Sequence, residues 1–190
     1  ETVDTEEEPA SFAEAWRTCW KITGPRRIWY ALPFLAASLI GFVTLASLFY
    51  EEEFGLNEVA RGSVAAAVEP LQLVGLIIGA RVAMKYVLTE PGRILEFLSW
   101  ISLAAAVLAA IFALAPNIVV AVLANAVLTA GLAIVGPGIL ASLSLAIPPR
   151  TRSLGFSLGS LWVLPGLAIL PVLRAIGDAW GFRLGMLVMT

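Results

Sequence analysis

Histidine is missing from this 190-residue chain, and cysteine occurs once, at Cys19. Imidazole and thiolate are the usual ligands of a transition metal, so no metal site is expected. A lone cysteine also forbids an intrachain disulfide. Without histidine there is no ready base for a serine or cysteine nucleophile, and no Gly-rich phosphate loop with its lysine occurs. The chain is therefore not expected to be an enzyme, and no cofactor is expected. Charge is scarce too. Asp, Glu, Lys and Arg make up 14% of residues, against about 25% in soluble domains. The net charge of −2 comes with no basic stripe interleaved with aromatics, so no nucleic acid is expected as a partner. The first residues are acidic and lack a basic region followed by a short apolar one, so a cleavable signal peptide is not expected there.

What the chain has in abundance is hydrocarbon: 59% of its residues are hydrophobic. They gather in runs at about 28–49, 64–87, 94–115, 118–147 and 154–176, each at or above the ~20 residues that cross a bilayer. The reading is an all-α, polytopic transmembrane helical bundle over 25–190. A sixth apolar run opens at 182 and reaches only Thr190, a rise of about 14 Å, roughly half a hydrocarbon core. The expectation is a span completed by further residues, and so a fragment of a longer protein.

Ahead of the spans, 1–10 is dominated by Glu, Asp and Thr, a composition that reads as a disordered acidic linker. Ser11 followed by Glu14 predicts a capping box and a helix start. Phe12, Trp16 and Trp20 then recur on one face, so 11–24 is expected to be a short amphipathic helix ended by Gly24 and Pro25. It would either lie in the membrane interface or pack on the rest of the protein.

Lys and Arg in short loops orient a membrane protein, because cytoplasmic loops retain them. With the N-terminus cytoplasmic, Arg17, Lys21, Arg26, Arg27, Arg81, Lys85, Arg93, Arg150 and Arg152 fall on that side. Only Arg61, Arg174 and Arg183 fall on the other. The expected setting is a cell membrane, plasma or inner, with the bilayer itself as a partner.

Small residues four apart, Gly75 with Gly79, Ala105 with Ala109 and Gly155 with Gly159, let helix backbones approach closely and mark packing faces. Gly136, Pro137 and Gly138 predict a helix kink in the fourth run, as part of a moving helix or as a static bend. Few polar groups sit inside the runs, and each is a candidate for substrate or coupling chemistry. Glu69 leads, either as an intramembrane carboxylate or, if its helix begins at Pro70, as an acid in the headgroup layer. Asn125 and Thr129 share a helical face and would bind a solute or bond across helices. Gln72 joins them, with Ser38, Ser157 and Ser160 weaker because hydroxyls can bond their own backbone.

The string GLIIGARVAMK at 75–85, followed by Pro91, Gly92 and Arg93, resembles the loop between helices eight and nine of major facilitator superfamily transporters. Pro149 to Phe156 resembles that family's loop ten to eleven, and Asp178 to Arg183 its approach to the last helix. The resemblance covers nearly the whole chain and implies the C-terminal half of a twelve-helix transporter, helices seven to eleven and the start of twelve. It implies alternating access to a small-molecule solute, with the N-terminal six-helix half of the same protein as partner and proton-coupled efflux as one mode. Gly79, Arg81, Lys85, Gly92 and Arg93 become candidates for the cytoplasmic gate. Ala83 stands where the family has an acid, so no gate-locking salt bridge carries over. The rival expectation is a membrane anchor or scaffold that transports nothing.

Overall fold

A computed structural model describes residues 11–90 and 92–189. The linker expected at 1–10 lies outside the described residues, as does Pro91. Every element is helical: α1 (Phe12–Lys21), α2 (Thr23–Phe54), α3 (Glu58–Thr89), α4 (Arg93–Ala113), α5 (Ile118–Ala146), a 3-10 turn (Pro149–Thr151), α6 (Arg152–Leu161), α7 (Leu164–Trp180) and α8 (Phe182–Met189). Five segments are long and apolar enough to cross a membrane: α2, α3, α4, α5 and the stretch Pro149–Trp180.

The helix ends follow from local chemistry. Asn57 accepts a hydrogen bond from the Ala60 N–H at 2.9 Å, and Asn117 one from Val120 at 3.0 Å, each satisfying a donor that a helix start leaves free. Gly55 ends α2 with φ of 63°, where a side chain would be strained. Ser11 caps α1 by accepting from Glu14 N–H at 3.2 Å. The reciprocal half of the expected capping box is replaced by an ion pair of the Glu14 carboxylate with Arg150 at 3.6 Å.

The structure corrects the sequence reading in three places. Gly24 and Pro25 do not end α1. They occupy the first turn of α2, where a proline's missing N–H costs nothing, and α1 stops at Ile22 instead. The helix of the second span does not begin at Pro70, because α3 runs unbroken from Glu58. The fifth span is two helices: Trp162 and Val163 form a turn between α6 and α7. Pro165 has no N–H for the Leu161 carbonyl, and its ring crowds that oxygen, so the helix breaks there. Pro137 by contrast lies inside the continuous α5.

Packing depends on small residues. A Cβ on Gly75 would lie 2.1 Å from the Ala130 carbonyl oxygen, and one on Gly79 would lie 2.7 Å from the Ile134 Cα. Hence α3 lies backbone to backbone on α5. Gly166 does the same for α7 against α2, where its Cβ would meet the Pro33 oxygen at 2.1 Å. Phe42, Phe49, Phe112, Leu128 and Met186 fill the core between α2, α4, α5 and α8. The surface is apolar as well: Phe34 is 70% exposed, Leu73 62% and Leu123 62%. A surface of that kind belongs in hydrocarbon, so the protein is membrane-embedded.

α1 packs on the bundle. Ala15 and Cys19 are fully buried against α2, α5 and α6. Trp16 stacks on Trp20 with ring centroids 5.3 Å apart and reaches Trp29 at 6.0 Å, while Trp20 meets Trp162 at 6.2 Å. Burial raises the pKa of the Cys19 thiol.

Candidate functional site

A cavity of about 580 Å³ opens between α2, α3 and α5. Its wall brings together all four substrate or coupling candidates, Glu69, Gln72, Asn125 and Thr129, and adds Ser47, Tyr50, Glu58 and Arg61. The remainder is apolar, with Phe42, Val43, Ala46, Val64 and Val68 among the lining residues.

Each polar group has a structural reason for its position. Asn125 is 8% exposed and donates its amide N–H to the Tyr50 hydroxyl across the α5–α2 contact at 3.2 Å. Thr129, 7% exposed, turns its hydroxyl to its own helix and donates to the Asn125 and Ala126 carbonyls at 2.8 and 3.2 Å. Asn125 therefore bonds across helices, and Thr129 back-bonds. Ser157 and Ser160 also back-bond, to Ser153 and Phe156 at 3.1 and 3.2 Å. Ser38 lies elsewhere, in a smaller cavity of about 330 Å³ walled by α2, α4 and α5.

Arg61 reaches from α3 to α2. Its Nη1 donates to the Glu51 carboxylate at 2.5 Å and to the Ser47 hydroxyl and carbonyl at 3.4 Å. Its Nε is buried and has no hydrogen-bond partner among the described residues. Glu58 stands in the first turn of α3, where a negative charge is favoured by the free N–H groups of the helix start. Glu69 is eleven positions further along, exposed, with no ion pair among the described residues. With Pro70 inside a continuous helix, Glu69 is a mid-helix carboxylate and not a residue at its helix start.

In the sequence Arg61 and Glu58 read only as charges on the side opposite the cytoplasm, and Tyr50 does not stand out as a site residue. A signal existed for Arg61. Glu58, Arg61, Ala65, Val68, Gln72, Gly75 and Gly79 follow each other at alternating spacings of three and four, the period of one helix face. That face carries polar cavity groups at one end and the glycines packed on α5 at the other. Tyr50 had no comparable mark among the aromatics of α2.

The gate candidates do not join this cavity. Gly79 is buried against α5 as a packing residue. Arg81 and Lys85 are exposed on the far part of α3, without ion pairs among the described residues. Gly92 precedes α4 in open space, and Arg93 pairs locally with Glu90 at 3.2 Å. Of the kink residues, Gly138 lets Leu98 of α4 approach, its Cβ position lying 2.6 Å from Leu98 Cδ2, while nothing lies within 4 Å of one at Gly136. At the opposite end of the bundle Arg183, in the first turn of α8, joins the end of α2 to the α4–α5 loop: it pairs with Glu53 at 2.8 Å, donates to the Ala115 carbonyl at 3.5 Å and lies 5.9 Å from the Phe49 ring centroid.

No protein-family model, curated protein or solved structure matches this chain.

Proposed function

We propose that this chain is the cavity-bearing part of a secondary membrane transporter for small solutes, of major facilitator type, corresponding to the second six-helix half. The observation that carries the reading is the polar cavity at α2, α3 and α5 inside a bundle whose outer surface is apolar. A charged group in contact with lipid is costly, so a face bearing Glu69 beside Gln72 calls for water, solute or another helical body over it. The N-terminal half of the same protein would supply that body, placing the cavity at the interface where such transporters bind solute. The cavity volume falls within the ~300–1,000 Å³ range of small-molecule sites. The charge bias of the loops supports a cytoplasmic α1 end, with a plasma or inner membrane as the proposed setting and Arg81, Lys85 and Arg93 at that end as gate candidates.

One observation favours a second reading, a membrane anchor that moves nothing: Asn125 and Thr129 already have hydrogen-bond partners within the protein. Flux separates the two. The full-length protein in proteoliposomes should carry at least one member of a panel of anionic, zwitterionic, neutral and cationic dyes. Filling the cavity by Ala65→Trp should abolish that flux while the protein remains folded. Flux indistinguishable from empty vesicles would leave the anchor reading standing, and flux indifferent to the tryptophan would overturn this cavity as the solute path.

A further inference from the structure

We infer that the cavity at α2, α3 and α5 is a site for lipophilic cations, with Glu69 as the counter-charge; this deepens the transport reading and rests on it. The argument begins with charge. Arg61, the one Lys or Arg in the cavity wall, is neutralised by Glu51 and held by Ser47. Two carboxylates line the same space, Glu58 and Glu69, and neither has a cationic partner among the described residues. The cavity therefore carries net negative charge.

Depth separates the two acids. The 32 residues of α3 rise about 48 Å, so a hydrocarbon layer of about 30 Å centred on the helix begins roughly six residues from each end. Glu58 then stands in the headgroup region, stabilised by the helix start. Glu69 lies about 8 Å inside the hydrocarbon boundary. A carboxylate at that depth recruits either a cation or water.

The rest of the wall selects among cations. Val43, Ala46, Val64 and Val68 give the cavity an apolar wall, and Phe42 also lines it, its ring otherwise packed on Phe112 of α4. Among the described residues, no group of three or more His, Cys, Asp or Glu side chains is placed to hold a metal ion. One carboxylate beside a broad apolar wall fits an organic cation whose charge is spread over a hydrophobic body. Such a ligand loses little hydration on entering, and the carboxylate gains a partner.

The test is equilibrium dialysis of the full-length protein in detergent against radiolabelled tetraphenylphosphonium, with tetraphenylborate as an anion of the same shape. Saturable binding of the phosphonium is expected, weakened at least tenfold by Glu69→Gln and held within a few fold by Glu69→Asp. Tetraphenylborate should show no saturable site. Phosphonium binding that is absent, or equal in the Gln variant, or matched by the borate, overturns the inference. Glu69-dependent binding without flux in proteoliposomes would support the cation site and sink transport. Flux of other solutes, indifferent to Glu69→Gln and without phosphonium binding, would keep transport and overturn the site.

Discussion

Gly75→Ala is, with Gly166→Ala, one of two substitutions in which a single added methyl group meets a backbone oxygen at 2.1 Å. The added Cβ would stand 2.1 Å from the Ala130 carbonyl oxygen, 2.8 Å from its carbon and 2.9 Å from its Cα. All three are backbone atoms of α5, so no side chain can rotate aside. Relief requires α3 and α5 to separate by about 1 Å, and gaps of 0.5–1 Å forfeit a quarter to a half of each lost van der Waals contact. Gly79, one turn on, would lose its approach to Ile134 in the same movement. Overpacking of this kind costs about 1–3 kcal/mol, and the rigid backbone partner puts Gly75→Ala near the top of that range. Gly79→Ala should cost less, and the double variant less than the sum, because one separation relieves both contacts. Gly131→Ala is the internal control: it lies in the α5 interior with nothing within 4 Å of a Cβ. It should be neutral, or stabilising by up to about 1 kcal/mol through helix propensity. The assay is equilibrium unfolding of the full-length protein in mixed micelles, followed by helical circular dichroism. If Gly75→Ala matched the parent protein, or Gly131→Ala cost as much, the backbone-to-backbone packing of α3 on α5 would be refuted.

Three further outcomes follow from named contacts. Tyr50→Phe removes the acceptor of the Asn125 amide and should cost about 0.6 kcal/mol, the mean for such bonds in membranes, with an upper bound near 1.7; the same unfolding assay measures it. Arg183→Gln breaks the partly exposed pair with Glu53 and should cost about 0.5–1 kcal/mol, an effect that shrinks as salt is raised. Cys19 is fully buried and its thiol pKa is raised by that burial. Less thiolate therefore exists at neutral pH than for a free cysteine, and maleimide labelling should be slow until denaturant undocks α1. Rapid labelling of the folded protein would contradict the docking of α1 on α2 and α6.

Much of the architecture could be read from the sequence because hydrocarbon solvent demands long apolar helices. The runs beginning at 94 and 118 match α4 and α5 within a few residues at each end. The runs at 28 and 64 are shorter than α2 and α3, since hydropathy marks the lipid-facing stretch while the helices continue past it to Thr23, Phe54 and Glu58. The break at Trp162 was hidden because the run from 154 to 176 is apolar on both sides of Pro165; only the backbone consequence of the proline divides it. Gly75 and Gly79 were legible as a packing face because small residues four apart have one common use. The candidate site was legible only in part. Glu69, Gln72, Asn125 and Thr129 stood out as polar groups among apolar neighbours, and they line one cavity. The roles of Asn125 and Thr129 depended on partners that only the fold brings near. Arg61 looked like a loop charge because its partner Glu51 lies ten residues earlier, beyond the turn at Gly55.

The central claim is that the cavity face of α3 is a water-reached solute path and not a buried helix contact. Single cysteines at Ala65 and Gln72 on that face, and at Leu73 and Ile77 on the lipid-facing side, can be labelled with a membrane-impermeant thiosulfonate in the full-length protein. Buried Cys19 gives little background. The account predicts that Ala65→Cys and Gln72→Cys react from the water phase, that Leu73→Cys and Ile77→Cys do not, and that a cavity occupant slows the first pair. Equal protection of all four positions would contradict it.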